Sequence, residues 1–205
     1  MSCNAIGVMR AMVREGRINK VSLGMNEADW TLRILDSLHQ GVQQLDEILL
    51  AGKWNLMSQD GYGVLTRCTK LKLPVVNAEI FCSGALWGLP FYAHSAISVS
   101  VTSRIQQWQE LISEYNKNSQ TQPLSLQELA LRFAMLPSIV KGVCVGMCGI
   151  KEVRTNLNLF SIRRSPPECV EIYQLFIKAQ RLKLIRHDID LGLITQPLNS
   201  NSSRL

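Results

Sequence analysis

The sequence predicts an α/β protein made of four strand–helix units and a closing C-terminal helix. Three observations carry this. Short apolar runs of strand length alternate with longer stretches whose apolar residues recur at helical spacing. Glycine and proline punctuate the boundaries, at Gly16, Gly24, Pro74, Pro137 and Pro166-Pro167. Hydrophobic residues make up 46% of the 205-residue chain and charged residues 19%, which is enough to bury a core. Strands that alternate with helices need parallel crossovers, so the units form an open doubly wound sheet or part of an eight-fold barrel. Periodicity does not choose between the two. The absence of G-x-G-x-x-G after the first strand counts against a Rossmann unit.

Each element has a local signal. Ala5 to Arg14 reads as a helix stopped by Gly16, a residue able to take the left-handed cap. Ile18 to Leu23 reads as a strand closed by Gly24. Asn26 reads as the N-cap of a helix over Trp30 to Leu38 that presents Trp30, Ile34 and Leu38 on one face. Leu45 to Leu50 and Pro74 to Ala78 are strands, separated by a weaker helix over Ser58 to Lys70. Glu79 to Thr102 is long for a βα loop, and such loops tend to carry function. Ser103 to Asn118 is helical, and Ser125 with Glu128 forms a capping box for a helix that stops at Pro137. A last helix over Glu168 to Leu184, with Val170, Tyr173, Ile177 and Leu184 apolar, follows the break at Pro166-Pro167.

The stretch Val143 to Asn156, VCVGMCGIKEVRTN, joins strand, glycine turn and helix. Ile150, Val153, Leu157 and Phe160 recur at helical spacing, and the turn falls on Gly146 and Gly149. The unpaired first N–H groups of such a helix and its dipole make a backbone-lined anion site. Any βα turn of an α/β protein shares this pattern.

Composition narrows the partners. The net charge of +6 is scattered, apart from a basic run between Lys178 and Arg186 that reads as a solvated helix face. Scattered charge fits phosphorylated cofactors and marks no nucleic-acid face. Six cysteines, Cys3, Cys68, Cys82, Cys144, Cys148 and Cys169, form no C-x-x-C pair and accompany no histidine cluster, which argues against zinc. Cysteines in apolar surroundings read as reduced and cytoplasmic. The apolar runs are too short to span a membrane.

Four segments, in order, resemble the aldo-keto reductases, specifically the sugar-dehydrogenase-like branch of the L-galactose, L-fucose and D-threo-aldose dehydrogenase type. Arg14 to Asn26 (REGRINKVSLGMN) resembles the run into the fifth barrel strand. Leu49 to Leu56 (LLAGKWNL) resembles the sixth strand, with Trp54 where this branch commonly has tyrosine. Val75 to Leu86 (VVNAEIFCSGAL) resembles the seventh strand and its cofactor loop. Leu129 to Ala134 with Val145 to Asn156 resembles the eighth strand, the helix before it and the adenosine-phosphate loop.

The resemblance implies a partial (β/α)8 TIM barrel, about four C-terminal βα units plus a C-terminal helix. The implied domain covers residues 1–190, followed by a polar tail over 191–205. It implies an NADP or NAD site formed by Asn26 at the nicotinamide carboxamide, Phe81, Gly84 and Leu86 in the seventh-strand loop, and Gly146, Cys148, Glu152 and Asn156 around the adenosine phosphate. Intact relatives move a hydride between NAD(P) and a sugar or aldehyde. The family's catalytic aspartate, tyrosine, lysine and histidine lie on the first four strands, and no residue here corresponds to them, so no catalytic residue is assigned. The expectation is an oxidoreductase fragment with weak or lost cofactor binding, which self-associates or pairs with a missing N-terminal half. The other reading is a non-catalytic interaction module.

The sequence departs from the family where Glu79 and Ile80 replace serine and proline and where Cys148 replaces serine. A glutamate beside a pyrophosphate repels it. Glu79 also reads as a general base or as a plain loop carboxylate. Trp54 reads as a pocket wall or as core, and Asn156 as an adenine contact or as an exposed helical asparagine. Of His39, His94 and His187, only His94 falls in the long loop, where a pair with Cys82 has no supporting signature. The barrel-facing candidates are Val21, Leu23, Ile48, Leu50, Val76, Val143 and Val145.

Overall fold

The computed structural model describes residues 5–38, 45–92, 95–96 and 98–194. Four parallel strands form the main sheet: β1 (Ser22–Met25), β2 (Glu47–Ala51), β3 (Val75–Ala78) and, after a two-strand hairpin of β4 (Phe91–Tyr92) and β5 (Ser95–Ala96), β6 (Val140–Cys144). Their order in the sheet is β1-β2-β3-β6, the order of the chain. Every new strand joins the same edge, with no reversal. A doubly wound sheet reverses at its switch point, whereas a barrel adds strands in one direction. The sheet is therefore an arc of a (β/α)8 barrel.

The helices are α1 (Ala5–Arg14), α2 (Ala28–Ser37), α3 (Tyr62–Leu71), α4 (Val99–Asn118), α5 (Leu126–Met135), α6 (Ile150–Ser161), α7 (Pro166–Arg181) and the short α8 (Leu191–Ile194). Of these, α2 packs on β1 and α5 on β6, α3 lies beside α2, and α4, α7 and α8 pack on other helices, so helices lie on one face of the sheet. The ladders Leu23–Ile48–Val75 and Met25–Leu50–Asn77 lie on that face. Ile48, Leu50, Val75 and Asn77 are fully buried there. A Cβ on Gly61, before α3, would meet Leu50 Cδ2 at 2.7 Å, so Gly61 lets α3 close onto the strand. The opposite face, with Gly24, Leu49, Val76 and Gly142 in one row, is half-buried or exposed. This corrects the expected inward set: Leu23, Ile48, Leu50 and Val143 point to the helices, and Val76 alone of the strand candidates faces the barrel side.

Several ends match their sequence signals. Gly16 takes a φ of 71°, and Arg17 N–H reaches Met12 O at 2.9 Å while Gly16 N–H reaches Val13 O at 3.0 Å, a Schellman cap on α1. Other signals were displaced. Gly24 lies inside β1, and the N-cap of α2 is Glu27 with no side-chain cap, so Asn26 does not cap. The buried face of α2 is Ala28, Thr31 and Leu35, leaving Trp30 57% exposed. Glycines 146 and 149 both avoid positive φ, so the turn before α6 is an open loop. Pro166-Pro167 opens α7, where its fixed φ suits the first turn, and does not mark a break.

The expected capping box at Ser125 forms only its first half, Glu128 N–H to Ser125 Oγ at 3.1 Å. The Glu128 side chain turns inward instead. A complete capping box stands at Ser165 and Glu168. The buried side of α7 is Ile172, Leu175, Phe176 and Ala179, one position off the expected stripe, and Val170 is 45% exposed. Packed structure extends past residue 190, since Leu191 is buried. Cys3, His39, His94 and residues 195–205 lie outside the described residues.

Candidate functional site

Ligand sites of parallel α/β folds lie beyond the carboxyl ends of the strands, because the loops and helix N-termini converge there. The first residues past the four strands here are Asn26, Gly52, Glu79 and Val145. Asn26 is exposed. Gly52 follows β2 with φ 69°, and its N–H bonds Ala78 O at 3.1 Å, which ties the two loops together.

Asn55 organises the loop after β2. Its Oδ1 accepts from the N–H groups of Met57 and Ser58, each at 2.9 Å, as in an Asx turn. Its Nδ2 donates to Glu79 O at 3.4 Å. Asn77 is buried beneath, donating from Nδ2 to Trp54 O at 2.8 Å and Ala134 O at 3.2 Å. Trp54 is core: fully buried, stacked on Phe133 with centroids 4.8 Å apart, its Nε1–H donating to Phe133 O. It walls no pocket.

The loop after β3 is strained. Glu79, Cys82 and Ser83 all hold positive φ, at 61°, 56° and 54°, and Gly84 holds 89°. Such conformations cost of order 1–3 kcal/mol each for residues with a Cβ. Ser83 Oγ donates to Glu79 Oε1 at 2.6 Å. A Cβ on Gly52 would sit 2.4 Å from Glu79 Oε2, so the carboxylate fills the space that a side chain at Gly52 would take. Phe81 and Leu86 are buried, Phe81 edge-on to Trp87 with centroids 5.6 Å apart. Phe81 O accepts from Gly84 N–H at 3.1 Å, and Leu86 O from Gln127 Nε2 at 2.5 Å. Burial pushes the Cys82 thiol up to about 12, with the Glu79 charge adding to it, so Cys82 is an inert thiol.

The loop into α6 carries Gly146 and Cys148, both exposed. The Cys148 N–H donates to the Glu152 carboxylate, which sits in the first turn, where the dipole favours it. Asn156 is only 5% exposed, and its Oδ1 has no hydrogen-bond partner among the described residues. An exposed helical asparagine is therefore excluded. The expected apolar face of α6 is largely outside: Ile150 is 74% exposed, Val153 40% and Leu157 60%.

Sequence reasoning missed Gly52, Ser83 and Asn55. The Gly-Lys-Trp-Asn run directly after an apolar strand held a signal for the first and third, since asparagine and glycine are turn residues. It also missed the buried Glu128–Arg164 pair described below. Among the described residues no group of histidine, cysteine, aspartate or glutamate is placed to hold a metal, and no helix is long and apolar enough to cross a membrane.

The chain belongs to the aldo/keto reductase family, whose sequence profile matches residues 2–175. Among solved structures it is similar to the aldo-keto reductase AKR11C1 from Bacillus halodurans. Against the holo form the TM-score is 0.58 at 16% identity, covering 83% of this chain and 52% of that one. Against the apo form it is 0.56 at 16%, covering 83% and 55%. The chain thus spans about half the length of these structures. No curated protein matches it.

Proposed function

We propose that this chain is the cofactor-facing part of an aldo-keto reductase barrel of the sugar-dehydrogenase-like branch, and that alone it binds NADP or NAD weakly and does not turn over. Asn156 carries the reading. Among the described residues two buried amide oxygens are left unpaired, that of Asn77 in the core and that of Asn156, and a ligand donor such as an adenine amino group would relieve the cost at Asn156. Asn156 lies on the helix that the family resemblance assigns to the adenosine end. Gly146 leaves open space, with no atom within 4 Å of a Cβ placed there. Asn26, released from capping, is available for a carboxamide.

The phosphate end fits less well. The Cys148 N–H is already taken by Glu152, and Glu79 places a carboxylate on the rim. A bound nicotinamide cofactor supplies the hydride. Proton transfer in intact relatives falls to a tyrosine tuned by lysine and histidine, and the four residues at these strand ends, Asn26, Gly52, Glu79 and Val145, provide no such set. A sugar or aldehyde substrate thus belongs to a completed barrel, formed with the other barrel half or a second copy. The five cysteines among the described residues are free, which supports a reducing, cytoplasmic setting.

Fluorescence titration with NADPH tests the site. A high-micromolar constant, of order −5 to −6 kcal/mol, is expected. Asn156→Leu should weaken it several-fold while the fold is kept. A constant unmoved by that change would remove Asn156 from the site. The exposed stripe on α6 favours a second reading, an interaction module without catalysis, and this is the outcome to accept if no nucleotide binds at millimolar concentration.

A further inference from the structure

The Glu79 carboxylate is a strongly built polar feature of the rim. Three residues from two loops define its position. Ser83 holds Oε1 at 2.6 Å. Gly52, with φ 69°, leaves the space that Oε2 occupies. Glu79 itself and Ser83 adopt left-handed backbone to meet. Among the described residues no cation pairs with this carboxylate, and no donor bonds Oε2. A half-buried carboxylate without a cation is an acceptor with free lone pairs and an uncompensated negative charge.

We propose that Glu79 makes this rim select a ligand that presents hydroxyl donors, such as an unphosphorylated nucleoside, over one that presents a phosphate at the same place. The proposal rests on the reading of the rim as a nucleotide site and sets the ligand class within it. A ribose or polyol hydroxyl donates to Oε2 and completes the carboxylate. A phosphate at the same place meets the like charge of the Glu79 carboxylate at short range.

The test uses the full chain with adenosine and ADP as probes. Binding is followed by amide chemical shifts in wild type, E79Q and S83A, each first shown to melt as wild type does. E79Q keeps the shape and the Ser83 hydrogen bond and removes the charge. It should raise the affinity for ADP relative to adenosine about tenfold, part of that change being a loss of adenosine affinity, because the ribose hydroxyl loses its charged acceptor. S83A, which frees the carboxylate to swing outward, should raise the same ratio by a smaller factor. If E79Q does not fold, the S83A ratio decides alone. A ratio unchanged or lowered overturns the proposal and leaves the nucleotide site standing. Absence of binding by both probes to every variant overturns the site reading and this proposal with it.

Discussion

The Arg164 guanidinium lies side by side with the Glu128 carboxylate, Nε to Oε1 at 2.9 Å and Nη2 to Oε2 at 2.7 Å. Both side chains are essentially out of solvent. Arg132 Nε adds a third bond to Oε1 at 2.8 Å. The remaining Arg164 donors go to Glu168 Oε1 and to the carbonyls of Gln122 and Pro123. The cluster clamps α5, the start of α7 and the loop between α4 and α5 into one unit. It also explains why Glu128 abandons the capping box: its carboxylate is worth more inside, facing two guanidinium groups.

Breaking such a pair leaves a buried charge uncompensated, which typically costs about 3–5 kcal/mol. Arg164→Ala and Glu128→Ala should each lower stability by roughly that amount in urea unfolding, with the slope unchanged. Arg132→Ala, which removes one bond from a less buried arginine, should cost clearly less. The two large effects should not add in the double variant, because each removes the same interaction. Additive losses would show that the two residues act separately.

Acid should attack the same cluster. Burial raises the Glu128 carboxyl, but the hydrogen bonds from Arg164 and Arg132 outweigh it and hold the group below its ordinary value. The Ser165 N–H, its hydroxyl and Arg164 hold Glu168 down at about 2. Both groups have folded values below their unfolded ones, so the unfolded chain binds more protons as the pH falls. Their stabilisation is present above the ordinary value of 4.5 and is lost toward about 2. Thermal melts between pH 6 and 2.5 should show a falling midpoint below pH 5, and Glu168→Gln should flatten that limb. A limb of equal steepness in the variant would place the acid sensitivity elsewhere.

Much of the fold was legible because local chemistry and tertiary need agree. Gly16 caps α1 as its sequence position predicts, and each of the four expected strands has a counterpart in the sheet, though the first moves from Ile18–Leu23 to Ser22–Met25 and the last from Val143–Val145 to Val140–Cys144. Which strand residues face the helices was not legible. Parallel strands are apolar on both faces, so alternation gives no sign, and Leu50 and Leu49 look alike until α3 arrives at Gly61. The same holds for Trp54, whose indole is equally suited to a pocket or to stacking on Phe133, which is 79 residues away. On α6 the periodic stripe was real but faces outward, since periodicity marks a face and does not say what covers it. Glu79 was found by its departure from a family pattern. Its lock, Gly52 with Ser83, needs two loops to meet in space.

Catalysis offers a direct check on the site. The chain should reduce no simple aldose or aldehyde with NADPH above a buffer control, because Asn26, Gly52, Glu79 and Val145 at the strand ends include no proton donor of the tyrosine–lysine kind. Turnover that persists in a variant with Glu79, Tyr92 and His94 all replaced would place the chemistry at none of these three residues.

Association is the last expectation. β1 and β6 are both edges of the sheet, and an open edge exposes unpaired backbone groups. Beside the β6 edge, Met147, Ile150, Val153 and Leu157 are 42%, 74%, 40% and 60% exposed. Three of them recur at the spacing of one helical face, and contiguous exposed apolar surface of this kind marks an interaction site. Burying one such side chain contributes about 1.5–3 kcal/mol. Several together rival the net stability of a domain. The 205-residue chain should therefore sediment as dimers or larger species at micromolar concentration. Leu157→Glu and Ile150→Lys touch only exposed positions, so they should leave the melting temperature nearly unchanged while shifting the distribution toward monomer. A wild-type chain that sediments as a single monomer with a cooperative melt would mean that the barrel face and the α6 stripe are tolerated in water without a partner.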